Sequence, residues 1–380
     1  MSAPDAARPA LLRGALAAWL TVVVLAGCGG LAASSDGSAL AYRNEIIVRT
    51  GENFGNRADV EAFVDWAAAA DVSVISLLVK QDEDRQGPSG RVYYRSGIAP
   101  AVPGYENFDV LAAMLSAAHA RQIKVLAWLP QFHDQVAAKR HPEWQMTTIR
   151  DGVSVPYTGG PQPEYFVNPL DPEVQDYERS IVKEVVDNYA VDGVMLDWIR
   201  FDNYDMDLGA KSQAMFQAAG GPDPATIDFT RSSPARDRWD AFRTDAIAAY
   251  VASVRRAIPA RVSLGIYVLP PDFQEVGQDA AKFAAAVDTI EPMCYFLDWG
   301  FDIDWLWSRC VPTTVDKAAA TAVVPVLDAK LTDADYRQIF AHLRHGFPRV
   351  TTVAWFLHDR WSKDLLARIG HSKWRLESPL

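Results

Sequence analysis

From Glu45 onward, short apolar runs alternate with longer stretches whose apolar positions recur at helical spacing. The runs are Glu45–Arg49, Val72–Val79, Ile123–Leu129, Gly193–Ile199, Val262–Leu269, Thr289–Phe296, Ala322–Leu327 and Val350–Leu357. Helical spacing is found over Ala58–Ala70, where Val60, Phe63, Val64 and Ala67 share one face, and over Phe108–Arg121, Pro172–Tyr189 and Arg236–Ile258. It returns at Asp279–Val287, Asp302–Arg309, Asp333–His345 and Trp361–Ile369. Asp171 followed by Pro172 is a cap followed by a first-turn proline, a strong start signal. Strands that are apolar almost throughout are buried on both faces, which is the mark of a parallel sheet. Eight strand–helix units predict a (β/α)8 TIM barrel, α/β in class, over residues 44–380. An open doubly wound sheet fits less well. It would carry a glycine-rich phosphate loop after a strand, and "GENFGN" after the first run lacks that spacing.

Before residue 44 the alternation is absent. Arg8 and Arg13 precede an uncharged apolar stretch, Ala15–Ala26, and then Leu25-Ala26-Gly27-Cys28. A basic start, an apolar run too short to span a bilayer comfortably and a small-residue cut site read as a secretory signal over residues 1–27. A cysteine directly after the small residues resembles the lipobox of bacterial lipoproteins. That resemblance implies cleavage before Cys28 and lipidation of its thiol. Residues 28–43, rich in Ala, Ser and Gly, read as a flexible tether. The expectation is an exported protein, lipid-anchored to the cell envelope, touching the membrane through the N-terminal lipid only.

Charge narrows the partners. The whole chain carries −11; the signal holds Arg8, Arg13 and Asp5, a net +1, so the remainder carries −12. Such acidity argues against nucleic acid or anionic lipid and fits a neutral or cationic substrate. Besides Cys28 there are Cys294 and Cys310, which in an oxidising compartment either pair or stay as separate buried thiols.

In a barrel, the residues just past each strand's C-terminal end share one cleft. Lys80 and Tyr94 follow the second run, Trp128 lies near the end of the third with His133 after it, and Asp197 lies near the end of the fourth with Arg200 after it. Tyr267 lies on the fifth, Tyr295 and Asp298 on or after the sixth, Asp328 after the seventh and His358 after the eighth. The set is rich in carboxylates and aromatics. It has no HExxH, no spaced His triad and no GxSxG elbow, so no metal and no cofactor is expected. Glycoside cleavage needs this mixture: one carboxyl protonates the leaving oxygen, another attacks or activates water, and rings stack on sugar faces. Structural readings stand beside these. Asp197 could be a rim residue paired with Arg200. Trp128 and Trp355 fit core packing as well as sugar stacking. His133 fits a loop surface as well as a ligand contact. Asp202, Asp205 and Asp207 lack a calcium-loop pattern and read as solvated loop charge.

"YAVDGVMLDWIRFD" (Tyr189–Asp202) resembles the fourth-strand motif of bacterial glycosyl hydrolase-like proteins, close to YDVDGIxxDYIRY. "VISLLVKQDE…GRVYYRSGIAP" (Val74–Pro100), "FDVLAAMLSAAHARQIKVLAWL" (Phe108–Leu129) and "WDAFRTDAIAAYVASVRRAI" (Trp239–Ile258) resemble further segments of that family, in order. The resemblance, spanning about residues 45–300, implies a TIM-barrel glycoside hydrolase-like domain distantly similar to the α-amylase superfamily. It implies a carbohydrate substrate and Asp197 as a catalytic carboxylate. Met195 stands where amylases have Arg, and no Glu ends the fifth strand, so the second carboxylate stays open among Asp298, Asp328 and Asp272. The alternative is a non-catalytic glycan-binding barrel.

Overall fold

A computed structural model describes residues 43–82, 87–158 and 164–374. The signal, nearly all of the tether and Cys28 lie outside the described residues. The chain opens with β1 (Arg43–Val48), α1 (Arg57–Ala69), β2 (Val72–Leu78), α2 (Val110–His119) and β3 (Lys124–Pro130). A long excursion follows: α3 (Gln135–Arg140) and a hairpin of β4 (Thr147–Arg150) and β5 (Val153–Pro156). Then come α4 (Pro172–Asn188), β6 (Gly193–Asp197), α5 (Ala210–Ala218), α6 (Pro234–Ala257), β7 (Ser263–Val268), α7 (Ala280–Phe283) and β8 (Thr289–Pro292). The last quarter holds α8 (Ile303–Trp305), α9 (Val311–Lys317), β9 (Ala322–Val323), β10 (Val326–Asp328), α10 (Asp333–Gly346), β11 (Thr352–Leu357) and α11 (Lys363–Trp374).

The main sheet runs β10-β11-β1-β2-β3-β6-β7-β8-β9, every pair parallel. β9 and β10 are two halves of the expected seventh strand, interrupted at Val324-Pro325. Proline has no N–H to give to a ladder. β9 pairs with β8, β10 pairs with β11, and the Met293–Val326 bridge spans the break. The sheet therefore closes on itself as eight parallel staves with helices between them, a TIM barrel, as the alternation predicts.

Local chemistry sets the elements. Asn56 and Asp59 form a reciprocal cap at the start of α1, whose buried face is Val60, Phe63, Val64 and Ala67. Asp171 caps α4, with Pro172 in its first turn. Inside the barrel the side chains meet across strands that are not neighbours. Ser76 Oγ on β2 lies 2.7 Å from the Tyr267 hydroxyl on β7. The Trp128 ring meets Tyr267 and Phe356 edge-on. The lumen is tight enough that a Cβ on Gly265 would sit 2.3 Å from Met195 Sδ and from Thr289 Oγ1. Packing, rather than turn geometry, requires glycine there.

Candidate active site

β6 delivers Asp197 to the open end of the barrel, 6% exposed. A carboxylate that deep needs donors, and Asp197 has three. Trp128 Nε1 donates to Oδ2 at 3.1 Å, while the Trp198 amide (2.7 Å) and Arg200 Nη1 (3.2 Å) donate to Oδ1. The strand stops here because Trp198 takes φ +50°, a left-handed conformation that bulky residues rarely adopt. The turn lays the Trp198 ring under the Arg200 guanidinium, 4.0 Å from its centroid, and against His133 and Phe166. Backbone strain of this kind concentrates at functional sites.

Past the ends of β1 and β2, Arg49 meets Asp82 at 2.9 Å. The Arg49 guanidinium also lies over the rings of Phe356 and Trp128. Tyr295, beyond β8, stacks on Phe356 and touches Trp299 and His358. Burial first, and then the negative charge of Asp197, hold its phenol well above the ordinary value. At the end of β10, Asp328 is 3% exposed. Its Oδ1 meets His358 Nε2 at 2.7 Å, and its buried Oδ2 has no hydrogen-bond partner. His358 Nδ1 lies 3.2 Å from Asp298 Oδ2. A neutral imidazole carries one N–H, so bonding to two ionised carboxylates needs one more proton, on the ring or on a carboxyl. Asp298, Asp328 and His358 offer atoms within 4.8 Å of one another and could also hold a cation. Both ring nitrogens are already engaged, which favours the proton-holding reading.

The cleft thus gathers Asp197, Arg200, Trp128, Tyr295, Asp328, His358 and Asp298. Four other expected site residues lie elsewhere. Lys80, expected to face substrate, is fully buried and held by Asp134 (2.9 Å) and Glu178 (2.6 Å), with the Gln131 carbonyl at 3.2 Å. Burial alone would lower its pKa, but the two acids carry it above the ordinary value, while burial pushes Glu178 up to about 8. Tyr94 is turned outward to Glu184 on α4, which also binds Ser96 and Gly97. His133 is stacked on Phe166 beneath Trp198, with 1% of its surface exposed. Tyr267 is bonded to Ser76 in the lumen under Trp128. The acidic loop after β6 is not solvated charge either. Asp202 accepts from Tyr157, Asp205 from Thr148 and Arg150, and Asp207 from Thr147, Asn168 and Ser212, so the loop is docked on the β4–β5 segment. Among the described residues, the contact to the cleft that residue spacing missed is Phe356; Arg49 and Asp82 are both strand-end residues in the sequence, and the structure adds that they pair. Counting alternate residues back from His358 along β11 finds Phe356.

Known proteins bear on this cleft. The family model described as Glycosyl hydrolase-like 10 matches residues 52–280. Glycosyl hydrolase DigH of Escherichia coli strain K12 is 30% identical over 138 residues, which are 33% of this chain and 30% of DigH. An S-layer-related protein of Niallia circulans is 32% identical over 103 residues, 24% of this chain and 6% of that protein. The alignments therefore span under a third of each relative's length. Among solved structures, the PgaB (BpsB) glycoside hydrolase domain of Bordetella bronchiseptica superposes with a TM-score of 0.68 at 15% identity, over 88% of this chain and 98% of that one. Alpha-L-fucosidase isoenzyme 2 of Paenibacillus thiaminolyticus gives 0.62 at 18% identity, over 88% and 49%. At these identities the structural likeness concerns the fold alone. The family match covers more than half of the sequence, and the chain belongs to the Glycosyl hydrolase-like 10 family.

Proposed function

We propose that the protein is a glycoside hydrolase acting on an oligosaccharide or polysaccharide. The observation that carries this is a pair of strand-end carboxylates, Asp197 and Asp328, each held by a donor on one oxygen or more, with the phenol of Tyr295 in the field of both. Glycoside cleavage uses two carboxyls flanking the bond. Asp197, with both oxygens held by donors, acts as the nucleophile or base toward the anomeric carbon. Asp328 acts as the acid. Its Oδ2 has no internal partner, and the proton shared with His358 can pass to the leaving oxygen. Asp298, exposed and on the far nitrogen of His358, holds that ring in place. Trp128, Tyr295 and Phe356 form an apolar floor for a sugar face.

The reading includes export and lipid anchoring at Cys28. The disulfide between Cys294 and Cys310 supports it, because such bonds persist in oxidising compartments. The acidic chain supports a neutral or cationic glycan. Incubation with a polysaccharide panel should release new reducing ends. Binding to a glycan with no cleavage at any pH would replace this reading with that of a glycan-binding barrel. A Cys28→Ala variant should move from the membrane to the soluble fraction, and an unchanged distribution would remove the anchor.

A further inference from the structure

Beside the candidate cleft, a cavity of about 300 Å³ opens between the loops that follow β6 and β7. Its walls include Trp198 and Arg200, two of the three residues that hold Asp197, together with Asp202 and Phe273. A second cavity of about 400 Å³ shares Asn203 and Tyr204 with it. Four large hydrophobic side chains are exposed among the described residues, and two of them, Phe273 (38%) and Leu297 (53%), belong to the loops after β7 and β8. Phe273 begins a row of rings that leads inward. It lies 5.0 Å from Trp299, Trp299 lies 5.3 Å from Tyr295, and Tyr295 lies 5.3 Å from Phe356. Phe356 is 6.0 Å from Trp128, the ring that donates to Asp197. The platform is fixed in place. Asp272, next to Phe273, accepts from Trp305 Nε1 at 2.8 Å and from Arg309 at 2.7 Å.

We propose that this cavity and its aromatic rim form an additional sugar-binding subsite, so that the enzyme acts within a glycan chain rather than on a single terminal sugar. The inference rests on the glycosidase reading and extends it. The outer rings of the row, exposed Phe273 and half-buried Trp299 and Tyr295, offer apolar surface to further pyranose units, with buried Phe356 and Trp128 behind them. Each ring contributes by apolar burial and stacking. Exposing a phenyl ring at a rim is unfavourable in water, and a stacked sugar offsets that cost. Arginine has five N–H donors in a rigid fork. Arg200 commits Nη1 to Asp197, which leaves the remainder of the fork to meet sugar hydroxyls at the junction of cleft and cavity. The neighbouring cavity beyond Asn203 and Tyr204 gives the chain a way onward. The expected substrate is therefore a polymer or an oligosaccharide of several units, uncharged or cationic.

Cellohexaose, chitohexaose and maltohexaose, each with its own disaccharide, provide the test. Hydrolysis rates and calorimetric affinities are measured for the wild-type chain, Phe273→Ala and Phe273→Tyr. For the series that is bound or cleaved, the wild type should favour the hexaose over the disaccharide. Phe273→Ala should lower kcat/KM for the hexaose about 5- to 20-fold, leave the disaccharide within twofold and keep the wild-type melting temperature. Phe273→Tyr should restore the hexaose value, which a merely structural role for the loop would not require. Equal handling of hexaose and disaccharide, or a hexaose rate unmoved by Phe273→Ala, overturns the subsite and leaves the glycosidase reading standing. A wild-type chain that neither binds nor cleaves any of the six sugars overturns both.

Discussion

Asp197 at the open end of the barrel and the Glu45–Glu291 pair deeper in the lumen are all buried acids, yet their surroundings differ. Asp197 receives an indole N–H, a backbone N–H and a guanidinium. Glu45 Oε1 and Glu291 Oε2 have no hydrogen-bond partner. Burial pushes Glu45 up to about 8, and burial with the neighbouring Glu45 charge holds Glu291 well above the usual carboxylate range. Asp197 is ringed by donors, whereas the Glu45–Glu291 pair has the Thr289 hydroxyl 3.4 Å from Glu291 Oε1, and burial holds both acids toward the protonated form. Donors alone do not mark the site, since Asp207, docked on the β4–β5 segment, has them too; Asp197 combines them with a place at the open end of the barrel.

The sharpest way to break the contrast is Asp197→Asn. The amide keeps the shape but cannot act as nucleophile or base, and reducing-end release should fall about 10³- to 10⁴-fold. Its melting temperature should stay within a few degrees of wild type. A variant retaining full activity would move the chemistry away from β6.

Lys80 tests the other side. It sits at a strand end as Asp197 does, but Asp134, Glu178 and the Gln131 carbonyl hold it inside the protein. Lys80→Met leaves Asp134 and Glu178 buried without their cation and should cost about 3–5 kcal/mol of stability in denaturant titrations. The folded fraction should retain its kcat. Adding Glu178→Leu to that variant should recover part of the loss. A kcat that falls while stability holds would return Lys80 to the cleft.

These two residues also show what could be read before any fold was known. Asp197 is legible because it directly follows the apolar Gly193–Leu196, and the direction of a parallel strand puts its last residue at the open end of the barrel. Lys80 satisfies the same rule, but its partner Glu178 is 98 residues away, and nothing in local spacing records a contact of that range. Tyr94 was misplaced for the same reason, since Glu184 lies 90 residues on. The β4–β5 hairpin has a local signal in the sequence. Asp151-Gly152 sits between short apolar stretches, both residues have positive φ, and Asp-Gly is the favoured pair for such a turn. The broken seventh strand was signalled by Pro325, and the inward face of β11 by its alternation. That alternation sends Trp355 outward to Asn44 and Tyr336, and Phe356 inward to Arg49.

Asp328→Asn sharpens the site from its second carboxylate. An amide cannot hold the shared proton of His358, so kcat/KM should fall about 10²-fold, less than for Asp197. The limb of the pH–rate profile that reports the acid should be lost. Asp298→Asn, which touches only the far nitrogen, should cost less than tenfold and shift that limb without abolishing it. If Asp298→Asn had the larger effect, the roles of the two aspartates would be exchanged.

The mildest change is Glu291→Gln, and its sign is opposite. An unfolded glutamate gives up its proton near pH 4.5, whereas folded Glu45 keeps its own until about 8. Across that window the native state binds more protons than the unfolded one, so the stability from this pair falls as pH rises. The part that belongs to Glu45 is fully present below about pH 4.5 and lost by about pH 8. Replacing Glu291 removes one buried acid, together with the repulsion it feels from the Glu45 charge. Thermal melts should therefore show a gain of about 1–3 kcal/mol at pH 8 and little change at pH 4.5, with a flatter stability profile between them. Activity at the distant mouth should be unaltered. A loss of stability at pH 8 would mean that the pair is ionised and held by donors, as Asp197 is, and the distinction between the two ends of the lumen would disappear.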